Sequence, residues 1–156
     1  IRRMAEAGIM ASMQPTFIPA FIGQKEMSKY EALIGKPRLS RVHPYRTILD
    51  AGIPISGGSD SPVTAYNPLV GIQAAVNHPN PSQRVSVREA LQMFTSTAAW
   101  SAFEEKEKGT LAPGKLADLV VLEKDPFQVS PDSIQGIDVH SVCVEGKWHP
   151  VMVESG

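Results

Sequence analysis

Gly57-Gly58-Ser59-Asp60-Ser61-Pro62-Val63 follows the short apolar run Ile53-Pro54-Ile55 and precedes a helical pattern that opens at Asn67-Pro68. An apolar strand that runs into glycines and one carboxylate is how α/β proteins place their chemistry, at the C-terminal ends of parallel strands. The glycines allow a tight turn and close approach to a ligand, while Pro62 restricts Ser61 to extended backbone and so helps to fix the direction of Asp60. Ser-Asp-Ser-Pro is also ordinary turn chemistry, so the carboxylate could instead close a turn or cap the next helix. The flanking sequence decides between the two.

Upstream, one order of elements occurs twice. A helical pattern at Arg2 to Ala7 stops at Gly8 and leads into the apolar run Ile9-Met10-Ala11-Ser12-Met13-Gln14, which Pro15 ends. His43 to Ala51 is again helical, Gly52 is its stop, and Ile53 to Ser56 is the next strand. Helix, glycine, strand, each strand leaving on a polar residue, predicts adjacent parallel strands with outer helices. Gln14 and Asp60 then leave neighbouring strands at the same end. Between the copies, Pro19, Gly23, Gly35 and Pro37 interrupt residues 16–40. That segment reads as a loop over the strand ends, with one short helix from Lys25 to Ile34.

Downstream, Leu69, Ile72, Gln73 and Val76 recur at helical spacing, and residues 77–82 form a loop. Ser86-Val87-Arg88-Glu89 is a capping box, after which Val87, Ala90, Leu91, Phe94, Ala98 and Ala102 predict one long amphipathic helix packed on the core. From Gly109 the texture turns to β. Ala117 to Leu122 is a strand, and His140 to Val144 with Lys147 to His149 form a hairpin around Glu145-Gly146.

Composition narrows the function. The 156 residues are 42% hydrophobic and 20% charged, with a formal net charge of −1 and no run of either sign. That balance argues against a nucleic-acid or membrane-surface partner. No apolar stretch reaches the roughly 18–20 residues of a membrane span. The single cysteine, Cys143, has no intrachain disulfide partner, which favours a reducing cytoplasm, and it reads as a small buried apolar residue. His43, His78, His140 and His149 show neither His-x-His nor His-Glu-x-x-His spacing, so surface or structural roles are expected for all four. The chain begins at Ile1 within a helical pattern, which suggests the C-terminal part of a longer protein.

Gly58-Ser59-Asp60-Ser61-Pro62, then Asn67-Pro68-Leu69, the capped helix, and KGTLAPGKLADLVVLEKDP at 108–126 together resemble the amidohydrolase superfamily. The nearest branch is amidohydrolase family 3, similar to the N-substituted formamide deformylases. Residues 10–17 and 43–52 extend the likeness over nearly the whole chain. The resemblance implies an α/β fold: the C-terminal part of a (β/α)8 barrel of the metal-dependent hydrolases, plus part of a small β-sandwich. Residues 1–108 would hold the seventh and eighth strands and their helices, and residues 109–156 the sandwich share. Asp60 matches the family's eighth-strand aspartate, which ligates a divalent metal or accepts a proton from the attacking water. Gln14 is a candidate substrate contact.

The same likeness implies a metal-dependent hydrolase of carbon–nitrogen bonds other than peptide bonds, with zinc as the expected metal and a small molecule as substrate. The family's first-strand His-x-His pair, its mid-barrel ligand and its two later histidines have no counterpart here. This chain alone is therefore expected to be inactive and to bind no metal. A non-catalytic, self-associating module with a relic aspartate is the alternative. With two strands of a closed barrel left with open edges, a homo-oligomer is expected.

Overall fold

Each of the two parallel strands is fed by a helix whose last turn is released through a glycine of positive φ. The computed structural model describes residues 1–22, 27–149 and 151. Helix α1 (Arg2–Glu6) is followed by Gly8 at φ 64° and then by β1 (Ala11–Met13). Three short helices come next: α2 (Phe17–Phe21), α3 (Met27–Ile34) and α4 (Lys36–Leu39). One helix was expected in this segment, and Lys25, where it would open, lies outside the described residues. The prolines explain the difference. Pro19 and Pro37 fall in the first turns of α2 and α4, where backbone N–H groups have no intrahelical acceptor, so they interrupt nothing.

Helix α5 (Tyr45–Asp50) turns at Gly52, φ 74°, into β2 (Ile55–Gly57). The strands pair in parallel, Ala11 with Ile55, Ser12 with Ser56 and Met13 with Gly57. β1 is shorter than the apolar run that announces it, and β2 starts two residues later than expected and extends to Gly57. On their helix side Ala11 and Ile55 are buried, and with Ile53, Ile48, Ile72, Ala75, Ala90 and Met93 they form the core.

Helix α6 (Pro68–Val76) starts where Asn67 accepts the Leu69 N–H at 2.9 Å, and it buries Leu69, Ile72, Ala75 and Val76. The predicted capping box is present at α7 (Val87–Met93): Ser86 Oγ accepts the Glu89 N–H at 3.2 Å, and Glu89 Oε2 accepts the Ser86 N–H at 2.7 Å. Such a cap contributes about 1 kcal/mol. The single long helix expected beyond it is instead two, because α7 ends at Met93 and α8 (Ser96–Ser101) begins afresh. Thr95 is the cause. Its hydroxyl donates to the Leu91 carbonyl at 2.8 Å, and the same carbonyl takes the Phe94 N–H at 3.1 Å, so the ladder tightens and stops.

The break also frees Phe94 to turn inward. Its ring fills the space that a Cβ would need on Gly57, 2.7 Å away, and on Gly71, 2.5 Å away. Two glycines thus let one aromatic ring wedge between the end of β2 and α6.

Beyond α8, Lys115 ties the chain back. Its ammonium donates to the Glu105 carbonyl at 2.7 Å and to Thr110 Oγ1 at 2.6 Å, so the Pro-Gly-Lys segment acts as a clasp on the helix exit. The tail forms an antiparallel sheet of β3 (Leu119–Leu122), β4 (Val139–Val144) and β5 (Lys147–His149), in the order β3-β4-β5. Glu145 at φ 50° and Gly146 at φ 78° make the β4–β5 turn, with the left-handed pair that a two-residue hairpin requires. Cys143 is buried and pairs with Trp148.

The sheet is separate in hydrogen bonding, but the tail is not separate in packing. A 3-10 segment, Pro131–Gly136, lies against α6, where Gln73 Oε1 accepts the Gln135 N–H at 2.8 Å and Asn77 Nδ2 donates to the Pro131 carbonyl at 2.9 Å. Ile134 and Ile137 enter the same core as the strands.

Candidate active site

Both candidate residues leave the parallel sheet at one end. The Met13–Gly57 pairing extends past the strands through a hydrogen bond from the Gly58 N–H to the Met13 carbonyl, 2.9 Å. Gln14 follows on one side, and Ser59 and Asp60 follow on the other. Gln14 is half-buried, and its backbone carbonyl accepts the Phe17 N–H at 3.0 Å. Among the described residues its side chain has no hydrogen-bond partner.

The loop that carries Asp60 is held by its neighbours. Ser59 Oγ accepts the Ser61 N–H at 3.2 Å, the Asp60 carbonyl accepts the Val63 N–H at 2.8 Å, and the Ser61–Pro62 bond is cis. Thr64 crosses the loop. Its hydroxyl lies 2.8 Å from that of buried Thr16 and also contacts the Ser59 carbonyl. One proton serves one acceptor, so Thr64 donates to the carbonyl and accepts from Thr16. The loops after the two strands are therefore braced together. Nothing in the local sequence marks Thr16 or Thr64, since the contact joins separate loops and depends on the strand register.

Asp60 itself sits at φ 54°, a left-handed conformation that aspartate tolerates better than most residues. Its side chain is exposed, and among the described residues it has no hydrogen-bond or ion-pair partner. It caps nothing: the acceptor at the start of α6 is Asn67.

A metal site requires three or more donors. Among the described residues no group of three His, Cys, Asp or Glu side chains comes together. Asp60 alone does not fit a divalent ion. The histidines lie elsewhere in structural settings: His78 is buried and His43 half-buried, with both rings against Tyr45 at centroid distances of 5.7 and 5.8 Å. His140 and His149 are exposed on the antiparallel sheet, and His140 Nδ1 lies 2.8 Å from Glu123. Among the described residues no helix is long and apolar enough to cross a membrane.

The sequence pattern of the amidohydrolase family matches residues 1–148. The chain belongs to this family. Within it, the branch is amidohydrolase family 3. The Bacillus subtilis protein YtcJ is 31% identical over 157 residues, covering 94% of this chain and 29% of its own length. The N-substituted formamide deformylase of Arthrobacter pascens is 31% identical over 68% of this chain and 21% of its own. Among solved structures, an uncharacterized metal-dependent hydrolase of Pyrococcus furiosus superposes with a TM-score of 0.67 at 29% identity, over 81% of this chain and 26% of that one. This amidohydrolase chain thus spans less than a third of the length of each relative. The fold accords with the C-terminal part of a metal-dependent-hydrolase barrel.

Proposed function

We propose that this chain supplies the last strands and the acid–base carboxylate of a metal-dependent hydrolase of carbon–nitrogen bonds other than peptide bonds. An amide, formamide or related small molecule is the proposed substrate, and the deformylase relative supports the formamide class. The observation that carries this reading is Asp60: an exposed carboxylate, unpartnered among the described residues, at the exit of a parallel strand, beside the exit that carries Gln14. So placed, it takes a proton from the attacking water and delivers it to the departing nitrogen. Gln14, with the carbonyl and the NH2 of its side-chain amide unpaired among the described residues, would orient the substrate. When bound, a divalent metal, zinc in this proposal, would polarise the scissile group. Its remaining ligands would come from residues other than those described. The cytoplasm is the proposed compartment, in keeping with the free thiol of Cys143.

The test is amine release by the full-length protein from a panel of N-substituted formamides and simple amides. Release from at least one of them is expected. A folded, metal-supplemented protein inert on the whole panel would instead support the second reading, a self-associating module. One observation favours that second reading: Leu33, Tyr66, Phe103, Leu111 and Trp148 are each more than 60% exposed. A chain of this extent is accordingly proposed to associate with another copy, and a monomer in sedimentation at micromolar concentration would exclude that.

A further inference from the structure

His43, Tyr45 and His78 form a buried polar cluster that the proposed chemistry does not use. Tyr45 is fully buried and His78 is 3% exposed. The His78 ring stands edge-on to Tyr45, interplanar angle 87°, and His43 lies tilted against the same tyrosine. His43 Nδ1, Tyr45 Oη and His78 Nε2 are buried without a hydrogen-bond partner among the described residues.

The other nitrogen of His78 is committed. Nδ1 accepts the Asn80 N–H at 3.0 Å, and Asn80 Nδ2 in turn donates to the Ser40 carbonyl at 2.8 Å. One chain of contacts therefore runs from the His78 ring to Ser40, in the turn between α4 and α5. Arg84 Nε donates to the His78 carbonyl at 3.0 Å and brings a positive charge to the same place.

We propose that His43, Tyr45 and His78 form an acid-sensitive latch, which holds the turn between α4 and α5 against the loop between α6 and α7 while both histidines are neutral. A proton on His78 Nδ1 would end its acceptance of the Asn80 N–H and turn the ring toward the Asn80 carbonyl, 3.1 Å away, so the tie to the Asn80 N–H is lost. A charged His43 would leave its buried Nδ1–H unpaired. The charged groups that face the pair oppose protonation: Arg84 from the α6–α7 loop at His78, and His78 at His43. At His78 the Asn80 and Val42 carbonyls pull the other way. Burial, reinforced by His78, pushes His43 down from 6.5 to about 4, and burial likewise lowers His78. The unfolded or opened chain then binds more protons than the latched one below pH 6.5, so the latch is intact above that value and is lost as pH falls toward about 4.

The test is amide hydrogen exchange, followed by NMR on the full chain from about pH 7.5 to about pH 4.5. After correction for intrinsic pH dependence, protection at Asn80 should fall ~10-fold or more while Val142 and Cys143 in β4 keep theirs. In His43→Gln and His78→Gln, whichever of the two folds, the acid-dependent part of that loss should shrink. Unchanged protection at Asn80 while the two rings ionise would overturn the latch, and so would simultaneous loss at Asn80 and in β4, which is global unfolding.

Discussion

Replacing Asp60 with Asn in the full-length protein is expected to lower turnover by about 100-fold or more while leaving the fold unchanged. The amide keeps the shape of the carboxylate but cannot accept the proton. Because the Asp60 side chain has no partner among the described residues, its loss removes no packing and no hydrogen bond within this part of the chain. The loop keeps its own supports, the Ser59 hydroxyl on the Ser61 N–H and the Thr16–Thr64 contact. A structural role would show as a fall in melting temperature, whereas a chemical role shows as a fall in kcat at unchanged melting temperature. Near wild-type turnover in the folded variant would return Asp60 to the status of a turn residue.

Gly109→Ala is expected to destabilise the chain by about 2–5 kcal/mol, read as a drop in the urea midpoint. Two costs add. Gly109 sits at φ 92°, which an L side chain pays about 1–2 kcal/mol to adopt. An added Cβ would meet Ala99 Cβ at 2.6 Å, Ser96 Cα at 3.2 Å and the Thr95 carbonyl oxygen at 3.3 Å. Two of those atoms are helix backbone and cannot swing aside, and overpacking of this kind costs about 1–3 kcal/mol more. Gly114→Ala is the control, since it shares a positive φ, 88°, but has no atom within 4 Å of the added carbon. If both variants fall equally, the close passage of the chain over α8 contributes nothing.

The features that depend on neighbours in sequence were the legible ones. Ser86 and Glu89 satisfy each other across one turn, and Glu145-Gly146 supplies the left-handed pair of a hairpin, so short-range chemistry is enough to place both. The two parallel strands were legible because their helix-glycine-strand order repeats. The length of the helix after Ser86 was not, because the apolar spacing continues through a threonine whose hydroxyl competes for the Leu91 carbonyl. The helices α2 and α4 were hidden by prolines that mark first turns as readily as they mark breaks.

The site divides in the same way. Asp60 announces itself by its place after a strand and among glycines. Its lack of a partner among the described residues does not, since that depends on Asn67 having taken the cap and on Thr64 having spent its hydroxyl proton on the Ser59 carbonyl. The burial of His78 was equally invisible. In sequence it is a histidine before a proline in a polar loop, and only the approach of α5 covers it with Tyr45.

The most direct measurement of the central claim is an anomalous-scattering map of the full-length protein loaded with zinc. A strong peak is expected at the C-terminal ends of the parallel strands. An Asp60 oxygen should lie about 2.0–2.2 Å from it as a ligand, or within roughly two hydrogen-bond lengths through one water. A fully occupied peak far from the β2 exit, with the Asp60 carboxylate turned to solvent, would contradict it.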